Sequence, residues 1–168
     1  SALVDWPRFY YAKMRDGGPT RDADIAARVR KFLLLHVVTV LGTRLVATHA
    51  YSLFGAHEYR AGLDYLGWLM LGNYAFLLGN LFSAGIGYAK RTRIVLVTFL
   101  VPGVLNLGGN LLVVPAWGGR GAAVTTVGAY AIFALLSLAI GQRFHRFAGL
   151  GWIGVISALA VAASLVPL

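Results

Sequence analysis

Five long apolar stretches account for most of this chain. Each is roughly 17 to 25 residues long, the length that a helix needs to cross the hydrocarbon core of a bilayer at about 1.5 Å per residue. Apolar residues run continuously through them rather than alternating, which argues against barrel strands and against amphipathic core helices. The pattern predicts an all-α polytopic bundle of about five transmembrane helices. The predicted spans are approximately 32–54, 63–87, 94–114, 121–141 and 150–166.

The chain before the first span has a different composition and forms a separate predicted segment. Its beginning is rich in aromatic and basic side chains, as is typical of a membrane interface. The sequence at 16–19 predicts a turn. Thr20 or Asp22 is suited to cap a short helix, which either ends before the first span or continues into it. Residues 1–31 and 32–168 are thus the two predicted parts of the chain.

The overall composition supports a membrane protein. Hydrophobic residues make up 58% of the 168 residues and charged residues only 12%, whereas an average soluble domain carries about 25% charged residues. The mean hydropathy is +0.71. There are no cysteines, which excludes disulfides, thiolate metal sites and cysteine nucleophiles.

Basic residues are distributed unevenly among the polar segments that flank the predicted spans. The formal net charge is +9, and twelve of the Lys and Arg residues fall in the first, third and fifth segments, against two in the second and fourth. Cytoplasmic segments carry such an excess, so the N-terminal segment is predicted to be cytoplasmic. This asymmetry accounts for the positive charge without a nucleic-acid partner.

The remaining basic residue, Arg44, lies near the middle of the first predicted span. An arginine at this depth costs at least about 2.5–3.5 kcal/mol on insertion scales, so it should face protein or water. Its guanidinium suits a bidentate contact to a phosphate, which predicts a contact to an anionic substrate. Alternatively, it snorkels outward or binds the carbonyl groups at a helix end. The sequence leaves both interpretations open.

Polar side chains recur at helical spacing on other predicted spans. They either join helices by hydrogen bonds or line a hydrophilic path, and both interpretations stay open. No catalytic, cofactor-binding or metal-binding constellation is visible, because the four histidines are scattered and no nucleophile or phosphate-loop motif occurs. The candidates for a substrate path are Arg44, Asn73, Asn80, Asn106, Asn110, Thr126 and Tyr130.

Glycine and proline mark predicted turns, bends and close contacts. The glycine-rich sequence at 118–121 predicts a tight turn between the third and fourth spans. Pro102, followed by a glycine, predicts a bend near the middle of the third span. Gly79, Ser83 and Gly87 form a row of small residues that favours close packing against another helix.

The second half of the chain carries a run of residues that resembles a known family. Paired asparagines and a proline precede an aromatic-glycine turn, and a Gly-Ala-Ala segment with threonines follows. The run comprises Asn106-Leu107-Gly108-Gly109-Asn110-Leu111-Leu112-Val113-Val114-Pro115, Ala116-Trp117-Gly118 and Gly121-Ala122-Ala123-Val124-Thr125-Thr126. It resembles the C-terminal lobe of bacterial polysaccharide flippases, the O-antigen and exopolysaccharide transporters of the multidrug/oligosaccharidyl-lipid/polysaccharide (MOP) exporter superfamily. Weaker similarities occur at Glu58-Tyr59-Arg60-Ala61 and Trp6-Pro7-Arg8-Phe9-Tyr10.

The resemblance implies a multi-pass transporter of the plasma membrane rather than an enzyme. It implies translocation of polyprenyl-diphosphate-linked sugars across that membrane during polysaccharide biosynthesis, without a cofactor. The implied partners are the lipid-linked oligosaccharide, membrane lipids and an N-terminal lobe of the same protein. Since the chain begins with Ser1 and no signal peptide follows, we expect it to be a piece of a longer protein.

Other functions stay open from sequence alone. A small-molecule antiporter of the same superfamily would favour acidic residues at mid-depth, where this sequence has none. A membrane enzyme acting on lipid-linked sugar would need an acidic or histidine base at a membrane face, and the aspartates of the N-terminal segment are more typical of turns and caps. A structural membrane subunit is the remaining alternative.

Overall fold

The computed structural model describes residues 2–54, 60–147 and 150–165. Within them the chain is helical apart from short turns, with no strand, which confirms the predicted all-α class. The first two residues of the segment 58–61, and the end of the fifth predicted span at residue 166, lie outside the described residues. The helices of the described residues are α1 (Ala2–Asp16), α2 (Arg21–Phe54), α3 (Arg60–Tyr88), α4 (Thr92–Gly141) and α5 (Leu150–Leu165).

A short turn separates α1 from α2, as the sequence predicts. Gly17 has a positive φ of 61°, which suits a residue without a Cβ just after a helix. The Arg21 amide donates to the Gly18 carbonyl at 3.0 Å, and α2 then continues without a break to Phe54. Of the two alternatives for this helix, the structure has the one that continues. The boundary predicted at residue 31 is therefore a change of composition along one helix.

One face of α1 is buried in an aromatic cluster at one end of the bundle. Trp6 and Tyr10 are 2% and 0% exposed, because residues four apart share a helix face. The Tyr10 ring lies edge-on to the His145 ring at a centroid distance of 5.4 Å. The aromatic residues predicted to lie at a membrane interface therefore divide into core residues, Trp6 and Tyr10, and the exposed Tyr11.

The end of α3 places a lysine in the left-handed backbone region. The Arg91 amide donates to the Ile86 carbonyl at 3.3 Å, and the Lys90 amide donates to the Gly87 carbonyl at 2.9 Å. This pair of bonds is a Schellman motif. Lys90 has a φ of 55°, where glycine is the usual residue and a side chain costs about 1–2 kcal/mol. The surrounding structure therefore holds Lys90 in an unfavourable conformation.

The fourth helix is a hairpin rather than one straight rod. Its 50 residues would extend about 75 Å if straight, more than twice the thickness of the hydrocarbon core. Gly118 interrupts it with a φ of 54° and a ψ of −136°, a conformation that residues with a Cβ avoid. The interruption confirms the turn predicted at 118–121 and divides α4 into a first arm, 92–117, and a second arm, 119–141.

Contacts between the two arms of α4 are nested around this turn. Far from it, the rings of Phe99 and Phe133 lie 4.5 Å apart between centroids. Close to it, a Cβ on Gly121 would lie 3.0 Å from the Val113 carbonyl oxygen. The arms are therefore antiparallel. Helical dihedral angles continue through Pro102, so the bend predicted there does not interrupt the first arm.

The long helical segments alternate in direction along the chain. Both α2 and α5 run antiparallel to α3, and the second arm of α4 runs parallel to α3. As a result, the turns at 17–20, 89–91 and 142–147 lie at one end of the bundle, and the hairpin turn lies at the other. The contacts that fix these directions are His36–Tyr74, Arg44–Gly67, Tyr74–Ser157, Gly67–Ser164, Gly79–Phe133 and Phe82–Gly141.

Two helices of the described residues are long and apolar enough to cross a membrane. They are Tyr65–Tyr88 within α3, and α4, Thr92–Gly141. The segment Gly151–Ser164 of α5 is apolar but shorter. Large apolar side chains are exposed on α2 and α4, up to 81% for Leu112, and such a surface suits lipid or another helix better than water. The helices support membrane association, and the number of crossings stays a prediction.

Candidate functional site

Arg44, the strongest single candidate in the sequence, is buried where three helices meet. It projects from α2 with 7% of its surface exposed, and its guanidinium donates to the backbone carbonyl of Ser164 on α5. Gly67 on α3 provides the space, because a Cβ there would lie 2.8 Å from Arg44 Nη1 and closer still to the Ser164 carbonyl oxygen. The guanidinium thus links α2 to α5 through a space that a side chain at position 67 of α3 would fill.

The partner of Arg44 lies at the C-terminal end of a helix. Ser164 is next to last in α5, and carbonyl groups near the C-terminal end of a helix carry partial negative charge. The Ser164 hydroxyl itself donates to the Ala160 carbonyl at 2.8 Å. Of the two interpretations of Arg44, this geometry favours the helix-end contact. A contact between Arg44 and an anionic substrate stays a prediction.

Asn106 and Asn110 form a hydrogen-bonded chain with Thr125 across the hairpin of α4. Asn110 Nδ2 donates to Asn106 Oδ1 at 3.3 Å, and the Thr125 hydroxyl donates to Asn110 Oδ1. Thr125 Oγ1 also lies 3.0 Å from the Gly121 carbonyl oxygen of its own arm. These asparagines therefore join two antiparallel helical segments, which is the first of the two interpretations of the polar rows.

Sequence reasoning does not single out Thr125 and selects its neighbour Thr126 instead. The Thr126 hydroxyl donates to the Ala122 carbonyl of its own arm at 2.8 Å. A signal for Thr125 is present in the predicted turn. Residues at similar distances before and after Gly118 face each other in a hairpin, and Asn110 and Thr125 are eight and seven positions from it.

The other candidates lie in separate places. Asn80 Nδ2 donates to the Phe76 carbonyl of its own helix at 2.8 Å. The Tyr130 ring packs against the Phe76 ring at 4.9 Å between centroids, and Asn73 is exposed on α3. In the described part of the chain, the seven candidates are thus distributed over several helix contacts rather than gathered in one cluster. A hydrophilic path along these residues stays a prediction.

A basic cleft that the sequence does not single out lies between α1 and the end of α3. It has a volume of about 440 Å³, and its lining includes Arg8, Arg15 and Lys90 together with Tyr11 and Tyr88. In the sequence, these cations contribute only to the excess of basic residues that predicts which end of the bundle is cytoplasmic. Arg8 and Lys90 are far apart in the chain, so no spacing pattern connects them.

An ion pair joins α1 to α2, and another lies at the start of α2. Lys13 Nζ lies 2.6 Å from Asp24 Oδ2, and its hydrogen bond lowers the pKa of Asp24. Arg21 Nε donates to Asp22 Oδ1 at 2.8 Å, which lowers the pKa of Asp22. Burial lowers the pKa of His145, with the Asp22 charge opposing the effect, because a buried imidazolium loses its hydration. These groups have structural partners and form no reactive constellation.

No protein-family model, curated protein or solved structure matches this chain. Within 2–54, 60–147 and 150–165, no group of three or more His, Cys, Asp or Glu residues is placed to hold a metal ion. The fold and the candidate residues together define a class: an all-α protein with membrane-length helices, in which most candidate polar side chains engage neighbouring helices or their own backbone.

Proposed function

We propose that this chain is the C-terminal lobe of a polysaccharide flippase, which moves polyprenyl-diphosphate-linked oligosaccharides across the plasma membrane during polysaccharide biosynthesis. The observation that carries the proposal is the run 106–126, which resembles that family. In the structure this run forms the hairpin tip of α4, interrupted at Gly118. Asn110 and Thr125, both members of the run, join its two arms. A shared run with an architectural role supports a shared fold.

The proposal includes five crossings with the N-terminal segment in the cytoplasm. Alternating directions of α2, α3, the two arms of α4 and α5 support this arrangement, because the basic connections then lie together at one end. Twelve of the Lys and Arg residues belong to segments at that end, as expected for the cytoplasmic side. At about 24 Å, α5 is the shortest of the proposed crossings.

The proposed transport step is a rocking movement of this lobe against an N-terminal lobe. Sugar and diphosphate are sheltered between the lobes, while the lipid tail stays in the bilayer. In this chain, the contact between Arg44 and Ser164 and the contact between Asn110 and Thr125 tie neighbouring helices together. Such ties suit a lobe that moves as one body.

A cation antiporter of the same superfamily has less support from the described residues. Its cargo would favour a carboxylate within the apolar part of the bundle. The aspartates whose side chains the structure describes lie on α1 or in the first turn of α2, where two of them pair with Lys13 and Arg21. An anionic, lipid-linked cargo therefore fits the charge distribution better.

Deletion of the gene in its native host tests the proposed function. We expect loss of surface polysaccharide together with accumulation of the lipid-linked oligosaccharide, whose total amount is measured by lipid extraction and mass spectrometry. Re-expression of the complete protein should restore both. Normal surface polysaccharide in the deletion strain would reject the proposal, and a deletion phenotype confined to sensitivity to cationic compounds would favour the antiporter.

A further inference from the structure

The basic cleft between α1 and α3 has the charge and the wall structure of a binding site. Arg8, Arg15 and Lys90 line it, and none of its lining residues in the described part of the chain is acidic. Asp16 Oδ1 lies 3.8 Å from Arg15 Nε, with both side chains largely exposed. Such a long, solvated contact leaves the positive charge of the cleft largely available to a ligand.

The aromatic wall of the cleft is held in place by close packing. A Cβ on Gly87 would lie 2.5 Å from the Tyr11 hydroxyl oxygen, so the end of the Tyr11 side chain lies directly over Gly87. The Tyr11 and Tyr88 rings lie 5.7 Å apart between centroids. The neighbouring residue Tyr10 is buried and also meets the Tyr88 ring, at 6.4 Å between centroids. The two tyrosine rings of the cleft therefore pack against each other and against the buried Tyr10.

Lys90 lines this cleft from an unfavourable backbone conformation. Its φ of 55° occurs in the turn just after α3, where a glycine would fit without strain. Non-glycine residues held in the left-handed region cluster at ligand sites. A glycine here would remove the strain but would also remove the ammonium group that lines the cleft. We therefore connect the strained backbone at Lys90 with the positive charge of the cleft.

We propose that this cleft binds the phosphate of an anionic membrane-lipid headgroup. Guanidinium groups match phosphate oxygens in a bidentate fork, and lysine adds a point charge. Basic pockets between helices at a membrane surface bind such headgroups, and tyrosine suits the same interfacial depth. The cleft lies at the basic end of the bundle, where headgroups of one leaflet are present. This inference needs a membrane-inserted bundle but does not rest on flippase activity.

Native mass spectrometry of the complete protein in detergent tests this site. We expect phosphatidylglycerol to bind and phosphatidylcholine to bind more weakly. Arg8→Gln and Lys90→Gly should each weaken phosphatidylglycerol binding about fivefold, the effect expected for one basic residue near a lipid surface. Arg30→Gln removes an exposed cation of α2 that does not line the cleft, so it is the matched control and should bind as the wild type does.

The Lys90→Gly variant separates binding from folding. Glycine relieves the left-handed strain, so the melting temperature should stay the same or rise while binding falls. Wild-type affinity in Lys90→Gly, or equal losses in Arg30→Gln and Arg8→Gln, would overturn the proposal in favour of diffuse surface charge. If inorganic phosphate binds with the same dependence on Arg8 and Lys90 while phosphatidylglycerol does not bind, the lipid assignment is wrong and the cleft is a site for soluble anions.

Discussion

The guanidinium of Arg44 on α2 donates to the carbonyl of Ser164 near the end of α5, above a glycine of α3 that leaves the space for it. A charge buried in an apolar bundle needs such a partner, because its desolvation is otherwise uncompensated. The carbonyl of Ser164 lies near the C-terminal end of α5, where helix carbonyls carry partial negative charge. The contact therefore gives Arg44 a structural role that can be measured by stability.

Replacement of Arg44 distinguishes the helix-end role from a substrate contact. Arg44→Met keeps the apolar stem and removes the donor, so the free energy of unfolding in detergent should fall by about 1–3 kcal/mol, the cost of an unsatisfied buried group. Arg44→Lys should lower the free energy of unfolding by less, because lysine keeps a hydrogen-bond donor. If the proposed flippase function holds, export by the complete protein should fall only with the amount of folded protein. Lost export at a normal folded level would instead establish a substrate contact.

Gly67→Ala tests the space beneath this contact. The new Cβ would meet the Ser164 carbonyl oxygen and Arg44 Nη1, and the backbone at Ser164 has to move, so we expect destabilisation by about 1–3 kcal/mol. Gly42→Ala is the matched control, because its Cβ would point into open space on an exposed face of α2. That control should be neutral or more stable by up to about 1 kcal/mol. Equal thermal stability of the two variants would contradict the three-helix junction.

Much of the architecture follows from local sequence patterns. Apolar runs of membrane length predict the long helices, and the glycines at 118–121 predict the reversal in α4. Both signals depend on residues close together in the chain. The sequence could in principle predict the burial of Trp6 and Tyr10, because they are four residues apart on one helix face. Aromatic side chains of this kind are, however, equally typical of a membrane interface. Only the packing of α1 against the other helices decides between these interpretations.

The candidate sites were less predictable because their partners are distant in the chain. Arg44 was conspicuous, but its described partner is a backbone carbonyl, and every residue type has one. The cleft that joins Arg8 to Lys90 depends on how α1 docks at Gly87, which no residue spacing encodes. Lys90 itself has no sequence signal, since its left-handed φ is unusual for a lysine.

A double-mutant cycle measures the hydrogen bond between Asn110 and Thr125 across the hairpin. Asn110→Ala and Thr125→Val each remove one side of the contact, and polar pairs within membrane helices couple by about 0.6 kcal/mol, at most about 1.7. Thr126→Val is the control, because its hydroxyl donates to its own arm at 2.8 Å. We expect coupling of Asn110 with Thr125 and none with Thr126. Absence of coupling in both cycles would make the asparagines candidates for a polar path.

The proposed topology is open to labelling, because the native chain has no cysteine to remove. Arg91 and Arg120 are both exposed, and the structure places them at opposite ends of the first arm of α4. Single cysteines at these two positions should react with an impermeant thiol reagent from opposite sides of the membrane, with Arg91→Cys on the cytoplasmic side. Labelling of both from one side would reject a membrane crossing by this arm.

The stability of the protein should depend on pH through His145. Its pKa is lowered by burial, so below about pH 6.5, the ordinary value for histidine, the unfolded chain binds a proton that the folded chain resists. The contribution of His145 to stability is therefore full above that value and is lost as the pH falls toward the folded pKa. His145→Phe keeps a ring against Tyr10 and Phe147 and removes the titration. Between pH 7.5 and pH 5, the melting temperature of the wild type should fall more steeply than that of the variant, whatever their offset at pH 7.5. Parallel profiles would show that this histidine is equally easy to protonate in the folded and unfolded states, and that its burial against α1 carries no charge penalty.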